Sequence, residues 1–263
     1  MSMLRRDFAP LSAAQWEAID DEARTVLERT LVARRFVDVD GPHGWTHSAY
    51  NLGRLGEPVS DGDLTWRPRK VRSVVEVRVP FSLPKAELDD LDRGAPEVDL
   101  DAVAAAAQTV ARFEETSIYH GLHEAGIEGL FDANGSSSKV LPTEPAQMLE
   151  AVTEGMITLS GAGVEGPYLL VLGEAPFGRL ASTSEGYPAL RQLEELLGVR
   201  PAFSRGLEGA VLASTRGGDF ILSLGVDASI GFDRVDPSFV HLYLTESFTF
   251  DVPGPEAVVT FSA

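Results

Sequence analysis

Between Leu31 and Trp45 the chain reads LVARRFVDVDGPHGW. Two adjacent arginines, Arg34 and Arg35, precede an alternation of apolar and acidic residues (Phe36, Val37, Asp38, Val39, Asp40), and Gly41-Pro42 then turns the chain. An alternation of period two is a strand signal, whereas the residues before it have helical spacing. A helix hands over to a strand here. The basic pair suits a helix C-terminus, where the dipole favours cations, and it suits equally one wall of a groove.

Upstream, Ser12 and Gln15 have capping-box spacing, and Leu11 with Trp16 has that of a hydrophobic staple. Apolar residues at Trp16, Ile19, Ala23, Val26 and Leu27 then mark one helix face that ends near Leu31. Downstream, residues 48–72 are polar and punctuated by Gly53, Gly56, Pro58, Gly62 and Pro68. Such a stretch cannot build its own core and reads as a two-stranded arm that must lean on something else. Val75, Val77, Val79, Phe81 and Leu83 alternate with polar residues or proline, a half-buried strand in which Pro80 requires an edge or a bulge.

A long helix is predicted over Asp99–Ala125, about 40 Å at 1.5 Å per residue, with Gly126 as its cap. Thr143 is expected to open another helix, with Met148, Leu149, Val152 and Met156 inward. Tyr168–Leu172 reads as a buried strand and Leu190–Leu197 as a helix. Ala210–Thr215 and Phe220–Leu224 are expected to pair as a hairpin about Gly217-Gly218. Val240, Leu242, Leu244, Phe248 and Phe250 share one face of a long final strand.

The 263 residues carry 40 acidic and 22 basic side chains, a net charge of -18. Nucleic acid is a poor partner for such a chain, because phosphate binding needs clustered cations. The absence of cysteine excludes thiol catalysis and thiolate metal sites. No apolar run is long enough to span a membrane, and a soluble, cytoplasmic protein is expected.

Catalytic patterns are missing. His120 and His123 stand in the order HGLHE, which matches neither arrangement of the zinc-protease motif. His43 and His47 flank a turn, and Glu114 and Glu115 point to different sides of a helix. No nucleophile elbow, phosphate loop or dinucleotide fingerprint occurs, so neither a catalytic residue nor a metal site nor a cofactor is assigned. One small, polar segment, ASTSEGYP at residues 181–188, reads as a surface loop. Around a symmetry axis it would instead frame a pore, with Glu185 as an acidic ring.

Several long blocks in order, LRRDFAPLSAAQWEAID, RRFVDVDGPHGW, LDRGAPEVDL, GIEGL, VEGPYLLVL, RGGDFILSLGVDASIGF and LYLTESFTF, resemble the encapsulins, nanocompartment shell proteins historically grouped with linocin and CFP29 bacteriocins. The resemblance runs nearly end to end. It implies an α+β fold like that of HK97-type phage capsid proteins, with a peripheral domain (residues 1–47, 76–132 and 225–246), an extended loop (48–75) and an axial domain (133–224 and 247–263). It further implies a closed icosahedral shell, in the simplest case of about sixty copies.

Cargo proteins of the family, ferritin-like or dye-decolourising peroxidases, are captured by a short C-terminal targeting peptide. The implied dock maps here onto Leu31, Arg34, Phe36, Val37 and Asp38 with Asp227, Ile230 and Phe232. The implied pore loop maps onto Ala181, Ser182, Thr183, Ser184, Glu185, Gly186 and Tyr187. Some relatives carry an aromatic linked to flavin binding where this chain has Pro84, Lys85, Ala86 and Glu87, so flavin is not expected. The reading from a different class, a secreted bacteriocin or peptidase of the linocin type, lacks both an export signal and a nucleophile with its base.

Overall fold

The computed structural model describes residues 3–135, 138–182 and 188–262. Helix α1 (Ala13–Thr30) starts as its sequence dictates. The Ser12 hydroxyl accepts the Gln15 N–H at 3.1 Å, and the Gln15 carbonyl oxygen takes the Ser12 N–H at 2.9 Å, satisfying two donors that a helix start leaves open. After α1 a 3-10 turn, Ala33–Arg35, leads into strand β1 (Asp38–Asp40). The strand therefore begins later than the alternation suggests. Phe36 and Val37 are both buried, whereas Val39 is 43% exposed, because the chain is still turning at Phe36 and has no ladder partner there.

The arm consists of β2 (Ala49–Leu55) paired with β5 (Arg69–Ser73), and β3 (Val59–Asp61) paired with β4 (Leu64–Trp66). Strand β6 (Val75–Pro84), helix α2 (Lys85–Asp92) and helix α3 (Asp101–His120) follow. Helix α3 is shorter than expected, about 30 Å. It stops because Gly121, at φ +81°, folds the chain back against Gly129, and a Cβ on either glycine would collide with backbone of the other. Leu122 then bridges Ile127, and Gly126 caps a 3-10 turn (His123–Ala125) rather than the long helix.

Next come α4 (Leu130–Ala133), β7 (Lys139–Val140), α5 (Pro145–Gly161), β8 (Tyr168–Leu172), α6 (Glu174–Ser182), α7 (Ala189–Leu197) and β9 (Ala202–Phe203). Helix α5 opens at Glu144 with Pro145 in its first turn, one residue later than the expected opening at Thr143. The chain closes with β10 (Ala210–Ser214), β11 (Ile221–Val235), β12 (Phe239–Asp251) and β13 (Val258–Ser262).

Two sheets organise these elements. One has the order β1-β11-β12-β6, which places Pro80 on an edge strand as its missing N–H requires. The other has the order β7-β13-β10-β8-β9. Strands β10 and β11 do not pair, so the expected hairpin is corrected. Strand β10 is buried throughout and sits between β8 and β13, while β11 belongs to the other sheet. The Gly217-Gly218 turn carries the chain from sheet to sheet. It is clamped by Arg216, whose guanidinium donates twice to Asp219 at 2.8 Å, and by Asp38, which accepts the Gly218 N–H.

Two apolar cores result. One, around α1, α2 and the first half of α3, holds Ile19, Ala23, Val26, Val103, Val110, Ile230, Phe232, Val240, Leu242 and Leu244. The other, around the second sheet, holds Phe36, Val37, Ile118, Tyr119, Leu170, Leu212, Leu222, Phe248, Phe250 and Phe261. Helix α3 and strands β11 and β12 run through both. Where they cross from one core to the other, buried polar residues replace apolar ones: Glu114 and Glu115 on α3, and Thr245, Glu246 and Ser247 on β12.

Candidate functional site

Arg34 sits at this polar seam. Its Nε and Nη2 donate to the two oxygens of Glu114 at 3.0 and 2.5 Å, Nη2 also reaches Glu246 at 2.6 Å, and Nη1 donates to Asp227 at 2.9 Å. Burial pulls the arginine pKa down, but the Glu114 hydrogen bonds and charge, aided by Glu246 and Asp227, more than reverse that and raise it. Both glutamates are fully buried. One cation facing two buried carboxylates leaves the second short of compensation. Burial and the charge of Glu114 push Glu246 well above the usual carboxylate range, against the pull of Arg34, and its Oε2 has no hydrogen-bond partner. The expectation that Glu114 and Glu115 face different sides of a helix holds only for direction, since both sides are covered.

Glu115 accepts the Ala33 N–H at 2.6 Å, the Ser204 hydroxyl at 2.6 Å and the Tyr119 hydroxyl at 3.1 Å. Burial pushes its carboxyl up to about 7, partly offset by the Ser204 and Ala33 hydrogen bonds. The seam thus pins the Leu31–Trp45 stretch to α3, β11 and β12. Most of the donors of Arg34 are spent on this chain's own acids.

Beside the seam runs a groove of about 550 Å³ between α1 and β11. Ala23, Ile230 and Leu244 make its apolar floor, Leu27 and Leu31 its α1 wall, and Asp227, Ala228 and Ser229 the opposite lip. That lip is a bulge: the β11–β12 register shifts between Val226 and Ser229, lifting this backbone out of the ladder. Arg24, Glu28 and Arg35 supply a charged rim.

Of the residues assigned to the dock, Leu31, Arg34, Asp227 and Ile230 line this groove. Phe36 and Val37 lie instead in the second core, Phe36 edge-on to Phe220 at 5.7 Å between ring centroids. Asp38 is spent on the Gly218 turn. Phe232, buried in the first core, borders a separate small hollow with Arg78 and Tyr243. Leu27, Ala228 and Leu244 went unsuggested by sequence. Leu27 had carried a signal, as a member of the apolar stripe of α1. Ala181 and Ser182 end helix α6, while Thr183, Ser184, Glu185, Gly186 and Tyr187 lie outside the described residues.

The histidines are accounted for locally. The Nε2 of His120 accepts the Glu208 N–H at 3.0 Å and its ring stacks on Phe131, and burial lowers its pKa. His47 Nε2 lies 3.0 Å from the Ser223 hydroxyl, and Asp40 lies 3.2 Å from that hydroxyl and 2.9 Å from His43. Serine, histidine and aspartate meet, yet Asp40 bonds the serine and the other histidine, where a triad needs the acid to orient the base. Ser223 is also buried. Among the described residues no group of three side chains could hold a metal ion, and no helix is long and apolar enough to cross a membrane.

The long β11–β12 hairpin crossed by a helix, a second covered sheet and a projecting two-stranded arm define the class: this is the HK97-type capsid fold. The virus-like particle of Pyrococcus furiosus superposes with a TM-score of 0.63 at 13% identity, covering 94% of this chain and 98% of that one. The Mycobacterium phage Cain structure does so with a TM-score of 0.55 at 16% identity, over 89% and 90%. The chain belongs to the Linocin_M18 family, described as encapsulating protein for peroxidase, which it matches over residues 1–249. It is 41% identical to the type 1 encapsulin shell protein of Rhodospirillum rubrum, over 98% of this chain and 96% of the relative. With that of Brevibacterium linens it shares 37%, over the whole of both.

Proposed function

We propose that this chain is the repeating subunit of a closed encapsulin nanocompartment. The observation that carries the reading is the arm. Leu55, Val59, Leu64, Trp66 and Val71 are each 44–63% exposed on strands that have no core in this chain, an arrangement that costs solvation unless neighbouring copies cover it. The arm, residues 48–75, then serves as the extended loop. Residues 1–47, 76–132 and 225–246 serve as peripheral domain, and the remainder (133–224, 247–263) as axial domain. Closed point-group symmetry is the usual outcome for identical subunits joined by such contacts.

Cargo of the peroxidase type is favoured by the family description. Its targeting tail is assigned to the α1–β11 groove, where an extended apolar peptide meets Leu27, Leu31 and Ile230 and a lip of bulged backbone. Arg34 then shapes the groove through the seam more than it binds the tail directly. A structural role, with the interior reserved for others' chemistry, is the consistent reading of a site without a catalytic constellation among its described residues. The test is gel filtration with electron microscopy of the native chain: uniform hollow particles are expected, and a monodisperse monomer would overturn the proposal.

A further inference from the structure

On the other side of α1 from the groove, a cleft of about 660 Å³ opens between α1, α3 and the turn after β9. Arg29 comes from the first, Arg112 from the second and Arg205 from the third, with Thr30 and Gln108 between them. The three arginines are exposed; elsewhere in this chain of net charge -18, arginines such as Arg6, Arg34 and Arg72 are matched to acids, Asp20, Glu114 and Glu128 in turn. These three are not. Among the described residues the Arg112 and Arg205 side chains have no ion-pair or hydrogen-bond partner, and the Arg29 guanidinium bonds only the Thr25 carbonyl, at 3.0 Å. Glu115 borders the cleft, but its oxygens accept from Ala33, Ser204 and Tyr119, and among the described residues no ion pair joins it to any of the three arginines.

Three uncompensated guanidinium groups from three elements, sharing one concavity, raise the local potential steeply against an acidic background. Their planar forks match an oxyanion with several equivalent oxygens, to which each donates charge-assisted hydrogen bonds. We infer that this cleft is an oxyanion site that takes a phosphate group, held by Arg29, Arg112 and Arg205. The group is either free phosphate or the phosphomonoester end of a small metabolite.

Calorimetric titration of inorganic phosphate into the full chain, at constant ionic strength, tests this. Saturable binding near one site per chain is expected. Each lost charge-assisted hydrogen bond costs about tenfold, so Arg112→Ala with Arg205→Ala should weaken binding by at least tenfold. Both residues are exposed, so the double variant should keep the parent's circular dichroism and melting. Arg200→Ala, outside the cleft, should bind like the parent. A parallel titration with a nucleoside monophosphate separates the sources: tighter binding than phosphate assigns a phosphomonoester, and equal or weaker binding assigns free phosphate. No saturable binding, an unchanged double variant, an equal loss in Arg200→Ala, or displacement by chloride as readily as by sulfate would each overturn the inference.

Discussion

Glu115 makes the chemistry of the seam measurable. Its folded pKa, pushed up to about 7 chiefly by burial, exceeds its ordinary value of 4.5. Between these two values the folded chain holds a proton that the unfolded chain has released, so its contribution to stability is whole below about pH 4.5 and is lost as pH rises through about 7. Glu115→Gln keeps the shape and removes the titration. Denaturant unfolding of parent and variant at about pH 5 and pH 8 should show the parent losing, on the order of, 3 kcal/mol more than the variant over that interval. Equal slopes would contradict the assignment. At this scale the sequence was least informative. Arg34 reads as an ordinary cation after a helix, and Phe36 as one face of a strand, although Phe36 is 4% exposed in the second core. An acidic substitution at Phe36 would therefore strike folding, and it cannot report on cargo.

Among the elements, α1 does two tasks with one helix. Ile19, Ala23 and Val26 bury it against the first core, while Leu27 and Leu31 near its C-terminus wall the groove. Leu31 is only half-buried, so Leu31→Asp places a charge in an apolar wall at small cost to the fold. A synthetic peptide matching a cargo tail, titrated into assembled particles, should bind the variant at least tenfold more weakly, about the worth of one buried leucine. Undiminished binding with parent-like melting would move the dock elsewhere. Strand β12 shows the same division along its length, with Leu242 and Leu244 serving one core and Phe248 and Phe250 the other. Its apolar alternation was legible because period two survives any context. That it bridges two cores was not, since the same pattern fits one.

For the whole molecule the decisive feature is surface left uncovered. The arm's pairing satisfies its backbone, but its apolar side chains stay in water, and a small two-stranded ribbon is marginal alone. Trp66→Asp, at a residue 52% exposed, should leave the subunit's circular dichroism intact and shift gel filtration from particles toward free subunits. Particles of normal yield would mean that the arm does not join the copies. The excess of acid, which argues against nucleic acid inside, also makes a patch such as Arg29, Arg112 and Arg205 stand out.

What the sequence determined by itself was local and periodic: the capped start of α1, the alternation of β6, the punctuated arm, and motif blocks whose order marked the family. Each rests on neighbours in the chain, where caps, turns and periodicities act. Only the tertiary structure decided where α3 stops, that β10 and β11 part into different sheets, and that Arg34 meets Glu114 and Glu246 from 80 and 212 residues away. Burial is set by segments far apart in sequence, and it is burial that turned an ordinary basic residue into the centre of the molecule's polar seam.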